Sequence, residues 1–272
     1  RLDDRFRLLT GGSRTALPRQ RTLRAMIDWS YDLLADAEKT FFARLSVFVG
    51  GGTLAAAETV AIGEGIEQGN VLDLLGGLVD KSLVVTDDSG ERYRMLETIR
   101  QYAHACLQQS GHGAAADKRH RDYYLAFAEE AELQLNGGPK QPEWLARLDL
   151  EQDNLRAALA WSLEEAERTD ADLRLCGALS RFWANRGHAD EGATWCEKAL
   201  ARSADAGGTS ARAKALIAMG TLAWRLGDMS RAQTTLEQAL DLSRHLGVRS
   251  LEADALESLG GVAMHRTEFP LA

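Results

Sequence analysis

The sequence predicts a mostly helical chain in two parts: a compact helical module bearing one small β-hairpin, then pairs of helices stacked into a solenoid. Three observations predict it. Apolar residues recur at helical spacing from Leu23 to Leu107. One strand–turn–strand pattern interrupts them, with Gly90 at its tip. The C-terminal third repeats itself at an interval of forty residues, from Gly187-His188-Ala189-Asp190 to Gly227-Asp228-Met229-Ser230.

The module spans residues 21–110. Leu23, Met26, Ile27, Ser30, Tyr31 and Leu34 share one face of a first helix. Asp36 is the expected N-cap of a second, which carries Phe41, Phe42, Leu45 and Phe48. Gly50-Gly51-Gly52 breaks that helix, and Thr53 caps a third over Leu54 to Ala61. A fourth helix is expected over Val71 to Leu83. Val84-Val85-Thr86 and Arg92-Tyr93-Arg94-Met95 flank the turn Asp87-Asp88-Ser89-Gly90, and Leu96, Ile99, Tyr102, Ala103, Cys106 and Leu107 mark a closing helix. Helices followed by a β-wing amount to a winged helix-turn-helix.

Residues 111–170 read as a linker and connecting helices. Ser110 to Asp117 is the linker candidate. A helix over about Lys118 to Leu135 follows, with Tyr124, Phe127, Ala128, Ala131 and Leu135 inward, and Gly137-Gly138-Pro139 ends it. Trp144, Leu148, Leu155, Leu159 and Ser162 continue the apolar stripe on the next helix.

Residues 171–272 hold the repeats. The forty-residue register sets Glu197-Lys198-Ala199-Leu200 over Glu237-Gln238-Ala239-Leu240, and Ala213, Ala215, Leu216, Gly220 and Ala223 over Ala253, Ala255, Leu256, Gly260 and Ala263. Each unit has a helix with a small residue (Ser180, Gly220, Gly260) where a neighbour crosses, a Gly-polar turn, and a second helix carrying Gly192 or Ala232. One such pair cannot bury its apolar face alone, so units must stack. The units resemble tetratricopeptide repeats with a lengthened period. The third stops soon after Phe269-Pro270, and the chain is expected to be an internal piece of a longer protein.

Composition bounds the function. Hydrophobic content of 45% supports proper cores, no apolar run reaches the roughly 18 residues of a membrane span, and a cytoplasmic protein is expected. Cys106, Cys176 and Cys196 lack metal or redox-pair spacing. Cys176 and Cys196 fall in core slots on the two helices of one pair, as buried thiols or, alternatively, as a disulfide. The six histidines show no H-x-x-x-H or H-E-x-x-H spacing; His112 and His120 are expected to be solvated beside the linker. Glu129-Glu130 and Glu164-Glu165 read as solvated helix faces. No enzyme motif and no metal site are expected. Seven arginines against Asp3 and Asp4 make residues 1–24 basic, while the chain as a whole carries −8.

The strings Asp4-Arg5-Phe6-Arg7-Leu8-Leu9-Thr10-Gly11-Gly12-Ser13-Arg14, Asp28-Trp29-Ser30-Tyr31-Asp32-Leu33-Leu34, Leu45-Ser46-Val47-Phe48 and Leu96-Glu97-Thr98-Ile99-Arg100-Gln101-Tyr102-Ala103 resemble bacterial signal-transduction ATPases with numerous domains (the STAND class). In these large regulators an NB-ARC-type ATPase precedes a winged helix and tetratricopeptide-like repeats. His120-Arg121-Asp122-Tyr123-Tyr124-Leu125 and Asp153-Asn154-Leu155-Arg156-Ala157-Ala158-Leu159-Ala160-Trp161 resemble the family's joining helices. The resemblance implies that residues 1–20 are the tail of an ATPase region, that ATP or ADP binds elsewhere in the parent, and that this stretch holds no cofactor. No G-x-x-x-x-G-K-[ST] sequence is present.

Two candidate sites follow. Met95-Leu96-Glu97 occupies the place of the family's Met-His-Asp nucleotide sensor, but a leucine there cannot hydrogen-bond a phosphate. Leu96 is then a rewired sensor position or the first buried residue of a helix packed on the wing. Arg181, Asn185, Trp224, Arg225 and His265 fall on the face that repeat arrays of this kind use to grip peptides, and Trp and Arg are favoured anchors. Alternatively, Trp224 packs between neighbouring repeats. Expected partners are the parent's ATPase domain and a protein or small inducer on the repeats. DNA is not an expected partner of this stretch, because the fourth helix is apolar and acidic with Lys81 its lone cation; a DNA-binding transcription factor acting through residues 21–110 is the competing reading.

Overall fold

The computed structural model describes the backbone of residues 18–267 apart from 64, 166–168 and 204–206, and side chains within residues 24–265. The bulk of the arginine-rich arm, Gly11-Gly12-Ser13 and Phe269-Pro270 lie outside the described residues. The fold is mostly α, a winged helix-turn-helix with a small sheet followed by a solenoid of tetratricopeptide-like helix pairs. Two compact units divide the chain, Arg1–Ala116 and Asp117–Ala272.

In the first unit, α1 (Pro18–Asp32), α2 (Asp36–Leu45), α3 (Leu54–Val60), α4 (Val71–Asp80) and α5 (Glu97–Ser110) enclose a core of Phe41, Phe42, Val60, Val71, Leu75, Leu78 and Ala103, all fully buried. Tyr31, Phe42 and Tyr102 meet edge-on or tilted at 5.5–6.4 Å and fasten α1, α2 and α5 together. Met26, expected inward, is 61% exposed, and with Trp29 and Leu33 it forms an apolar stripe on the outer side of α1. Ile27 and Leu34 are the buried members of the expected face. Asp36 does not cap α2; Ala35 holds that position, and its N–H donates to Glu38 Oε2 at 2.9 Å. Thr53 does cap α3, accepting from Ala56 N–H at 3.2 Å. Helix α4 stops at Asp80, short of the expected Leu83, because Ser82 turns left-handed (φ 57) and Leu83 N–H bonds back to Leu78 O.

The wing has three strands where the sequence pattern shows two. β1 (Gly52–Thr53) pairs antiparallel with β3 (Arg92–Arg94), which pairs in turn with β2 (Val85–Thr86), in the order β1-β3-β2. Gly51 makes this possible: at φ +92 a Cβ there would strike the Tyr93 carbonyl and lie 2.8 Å from Arg94 Cβ. Asp87 closes the hairpin, accepting from the N–H groups of Glu91 and Arg92.

The second unit contains α6 (Gly113–Gln134), α7 (Gln141–Leu150), α8 (Gln152–Glu164), α9 (Ala171–Arg186), α10 (Ala189–Arg202), α11 (Ser210–Arg225), α12 (Met229–Leu246) and α13 (Arg249–Thr267). The stretch Ser110 to Asp117, expected as a linker, is helical from Gly113 onward. Trp144 and Leu148 lie on α7 and Leu155, Leu159 and Ser162 on α8, two helices rather than one. The repeat register is visible in the turns, where Gly187 and Gly227 take φ of 77 and 82. At Gly220 an added Cβ would stand 2.5 Å from Leu236 Cγ, so α12 crosses α11 there on bare backbone. Gly192 serves α10 likewise, against Trp183 and Leu222. Gly260 has no neighbour within 4 Å of its Cβ position, since among the described residues no helix crosses α13 on that side. Cys176 and Cys196 are free, fully buried thiols in contact across α9 and α10.

Candidate functional site

The groups that a winged helix turns outward come first. The inner face of α4 (Val71, Leu75, Leu78) is spent on the core, leaving Leu72, Asp73, Gly76 and Asp80 exposed. Its neighbour Lys81 is turned back to Glu38 at 2.7 Å, which holds that carboxyl below its usual range. The hairpin tip adds exposed Asp87, Asp88 and Glu91. Residues 34–108 contain eleven carboxylates against six Lys and Arg. Those cations are mostly committed within the unit. Lys39 Nζ sits 5.5 Å from the Tyr31 ring, Arg44 is buried and donates to Ala61 O, and Arg92 donates to the Gly50 and Gly51 carbonyls. Arg100 bridges Glu97 and Ser46 O. Arg94 stands exposed.

The Met95-Leu96-Glu97 junction caps α5 with Leu96 in extended conformation. Leu96 is 55% exposed, so it is not the buried helix residue of the alternative reading; its neighbours leave it facing solvent. Glu97 is held below the usual carboxylate range by Arg100 (2.8 Å), with Gln101 also donating.

On the repeats, Arg181 and Asn185 are exposed on α9. Trp224, Arg225 and His265 come together: Arg225 Cζ lies 5.5 Å from the Trp224 ring, and His265 meets that ring edge-on at 5.5 Å. Trp224 is half-buried against Gly261, 3.2 Å from its Cβ position, and against the cluster of Ala223, Ala232, Leu236 and Val262. Its inter-repeat packing is therefore observed. The forty-residue register sets Asn185, Arg225 and His265 in one slot of three successive first helices.

One polar cluster was missed by sequence reasoning. His120, expected in solvent, is 3% exposed; its Nε2 meets Asn154 Oδ1 at 3.2 Å. Asn154 Nδ2 donates to Glu151 Oε2 at 2.7 Å, and Tyr124 Oη donates to the same oxygen at 2.8 Å. Burial pulls the His120 ring down to about 4, so it is neutral. The expected solvated acids also differ: Glu165 pairs with buried Arg121 at 2.7 Å and Glu129 with Arg174 at 2.8 Å. Among the described residues no group of three or more His, Cys, Asp or Glu side chains could hold a metal ion, and no helix is long and apolar enough to cross a membrane.

Comparison with known proteins agrees with the first unit's architecture. Residues 34–108 match the family described as winged helix-turn-helix domain. A Mycobacterium tuberculosis (strain ATCC 25618 / H37Rv) protein, provisionally named an HTH-type transcriptional regulator, is 43% identical over 268 residues, covering 95% of this chain; a Mycobacterium bovis counterpart matches equally. The chain spans 30% of the length of these relatives. An uncharacterised M. tuberculosis protein is 39% identical over 125 residues, 45% of this chain and 32% of its own length. Among solved structures, a signal transduction ATPase with numerous domains and a tetratricopeptide repeat sensor, from Pyrococcus horikoshii, is 13% identical. It covers 86% of this chain and 48% of its own at a TM-score of 0.30.

Proposed function

We propose that this chain is the non-catalytic regulatory and partner-binding arm of a larger ATP-dependent transcriptional regulator of the STAND type. The repeats sense a protein or small inducer, and the winged helix relays that event to a nucleotide switch elsewhere in the parent. The observation that carries this is the acidic outer face of α4 and the hairpin tip, together with the exposed apolar side chains of Met26, Trp29 and Leu33 elsewhere on the unit. Exposed apolar side chains in a row mark a surface made for protein contact, and carboxylates facing outward repel a phosphate backbone. On the repeats, exposed Arg181, Asn185, Arg225 and His265 are the groups offered to a partner.

The match to winged helix-turn-helix domains, and the name of the mycobacterial relative, favour a second reading in which residues 34–108 contact DNA. Salt dependence separates the two. A protein neutralising Z phosphates loses affinity with a log–log slope of about −0.9Z, and with Arg94 the main exposed cation of residues 34–108 that stretch accounts for about one unit of slope at most. Fluorescence anisotropy of this chain on random duplex should therefore give a slope and an affinity that Arg94→Glu leaves nearly unchanged, whatever the basic residues 1–24 contribute. Duplex binding weakened at least about tenfold by Arg94→Glu, with the slope reduced by about one unit, would establish the second reading instead.

A further inference from the structure

We infer that the bare side of α13 is the seat of one further helix, supplied by the parent chain directly after Ala272 and carrying the pattern small-x3-apolar-x2-Ala-Leu. Residues that share a repeat slot differ here in burial. Ala253, Leu256, Gly260 and Ala263 recur at three- and four-residue intervals and share one side of α13. All four are exposed, Leu256 at 47%. Forty residues earlier the same four residue types, Ala213, Leu216, Gly220 and Ala223, are all buried. The other side of α13 is already occupied, since Ala255 packs with Leu216 and Ala239, and Val262 with Ala223 and Leu236.

The two complete units show what closes such a side. In α11 it is α12: Leu236 stands over Gly220, Ala223 clusters with Ala232 and Leu236, and Leu216 clusters with Ala239 and Leu240. In α9 the same slots hold Leu173, Cys176, Ser180 and Trp183, all buried. There α10 closes them, with Cys196 touching Cys176 and Gly192 admitting the Trp183 ring. Both covering helices are the next in the chain and begin within four residues of the helix they cover. Their inward slots agree: Gly192 with Ala232, Cys196 with Leu236, Ala199 with Ala239, and Leu200 with Leu240. The first slot must be small because the crossing runs on backbone, with the Ala232 carbonyl 3.3 Å from the Cβ position of Gly220. The register sets Ala272 in that slot, which selects the parent's own next helix over a second copy or a separate protein. The mycobacterial relatives, of which this chain spans 30%, are long enough to carry it. A solenoid closes with a polar outer face, whereas this side of α13 offers Leu256 and the 65%-exposed Met264.

The test compares this chain with the same chain extended through the next segment of the parent. Hydrogen exchange over Arg249–Thr267 should slow at least about tenfold on extension, a readout that needs no substitution. Gly260→Ala supplies a change of sign: it should raise Tm in this chain and lower it in the extended one, where the methyl meets the covering helix as it would at Gly220. Exchange unaffected by extension, or Tm raised by Gly260→Ala in both chains, would overturn the assignment. So would a parent sequence with proline or charged residues in the slots of Leu236 and Leu240. Sedimentation of the unextended chain should give a monomer; a dimer broken by Leu256→Glu would assign the face to a second copy instead.

Discussion

A neutral histidine sealed inside the second unit makes its stability depend on pH in a calculable way. His120 titrates near 6.5 in an unfolded chain and near 4 in the fold, where burial disfavours the charged ring. Above pH 6.5 neither state holds the proton, and the full stability is present. As pH falls from 6.5 towards 4 the unfolded chain takes up a proton that the folded chain refuses, so stability is lost. The limiting loss is about 3 kcal/mol, and about 2 kcal/mol is gone by pH 5. Asp117, one turn earlier on α6, is raised to about 6 by burial and works in the opposite sense, because its folded form keeps a proton longer. The wild-type curve mixes the two. A His120→Gln variant separates them, since its amide nitrogen reaches towards Asn154 Oδ1 but does not titrate. Urea unfolding should be followed by tryptophan fluorescence, with Trp144 and Trp161 as reporters in this unit. The advantage of wild type over the variant at about pH 7.5 should shrink by about 2 kcal/mol at about pH 5. An advantage constant to within about 0.5 kcal/mol would show that the ring does not titrate as a buried neutral group.

Two further outcomes concern the repeats. Gly220→Ala and Gly260→Ala fill the same register slot yet should act with opposite sign. The first forces a methyl against fully buried Leu236 and costs about 1–3 kcal/mol, outweighing a helix-propensity gain of up to about 1 kcal/mol; the second meets open space and keeps the gain. Thermal unfolding of both variants checks this, and shifts of Tm in the same direction would refute it. Trp224→Ala should loosen α13, raising hydrogen exchange over Arg249–Thr267 while leaving α9 protected; unchanged exchange would mean that the ring contributes nothing to inter-repeat packing.

What could be read from the sequence was what repeats or recurs locally. Thr53 as a cap, the repeat turns at Gly187 and Gly227, and the close crossing at Gly220 all depend on backbone properties of single residues, whereas α2 ends at Leu45, ahead of Phe48 and of the glycines expected to break it. What could not be read depends on partners far along the chain. The burial of His120 is fixed by Asn154, thirty-four residues later, and β1 is a strand only because β3 arrives beside it. Helix α1 carries two adjacent apolar stripes, one through Ile27 and Leu34 and one through Met26, Trp29 and Leu33. Helical spacing puts Met26 on one face with Ile27 and Leu34 and passes over Trp29 and Leu33, and it cannot choose which side turns inward. The candidate site divides in the same way: the register supplied Asn185, Arg225 and His265, but the half-burial of Trp224 against Gly261 is a tertiary fact.

The acidity of α4 is the point on which the two proposed readings of the module turn. Its core contacts are made by Val71, Leu75 and Leu78, and these suffice to hold it in place. Asp73, Gly76 and Asp80 face outward, and no cavity or packed neighbour dictates their identity at Gly76, whose Cβ position is open. Arginine, asparagine or lysine at those three positions would cost the core nothing and would supply the donors that read base edges and phosphates. The helix-turn-helix architecture thus permits a DNA-reading face without requiring one. The side chains actually present offer carboxylates and the 54%-exposed Leu72 instead, and it is on this composition that the proposed protein-facing role rests.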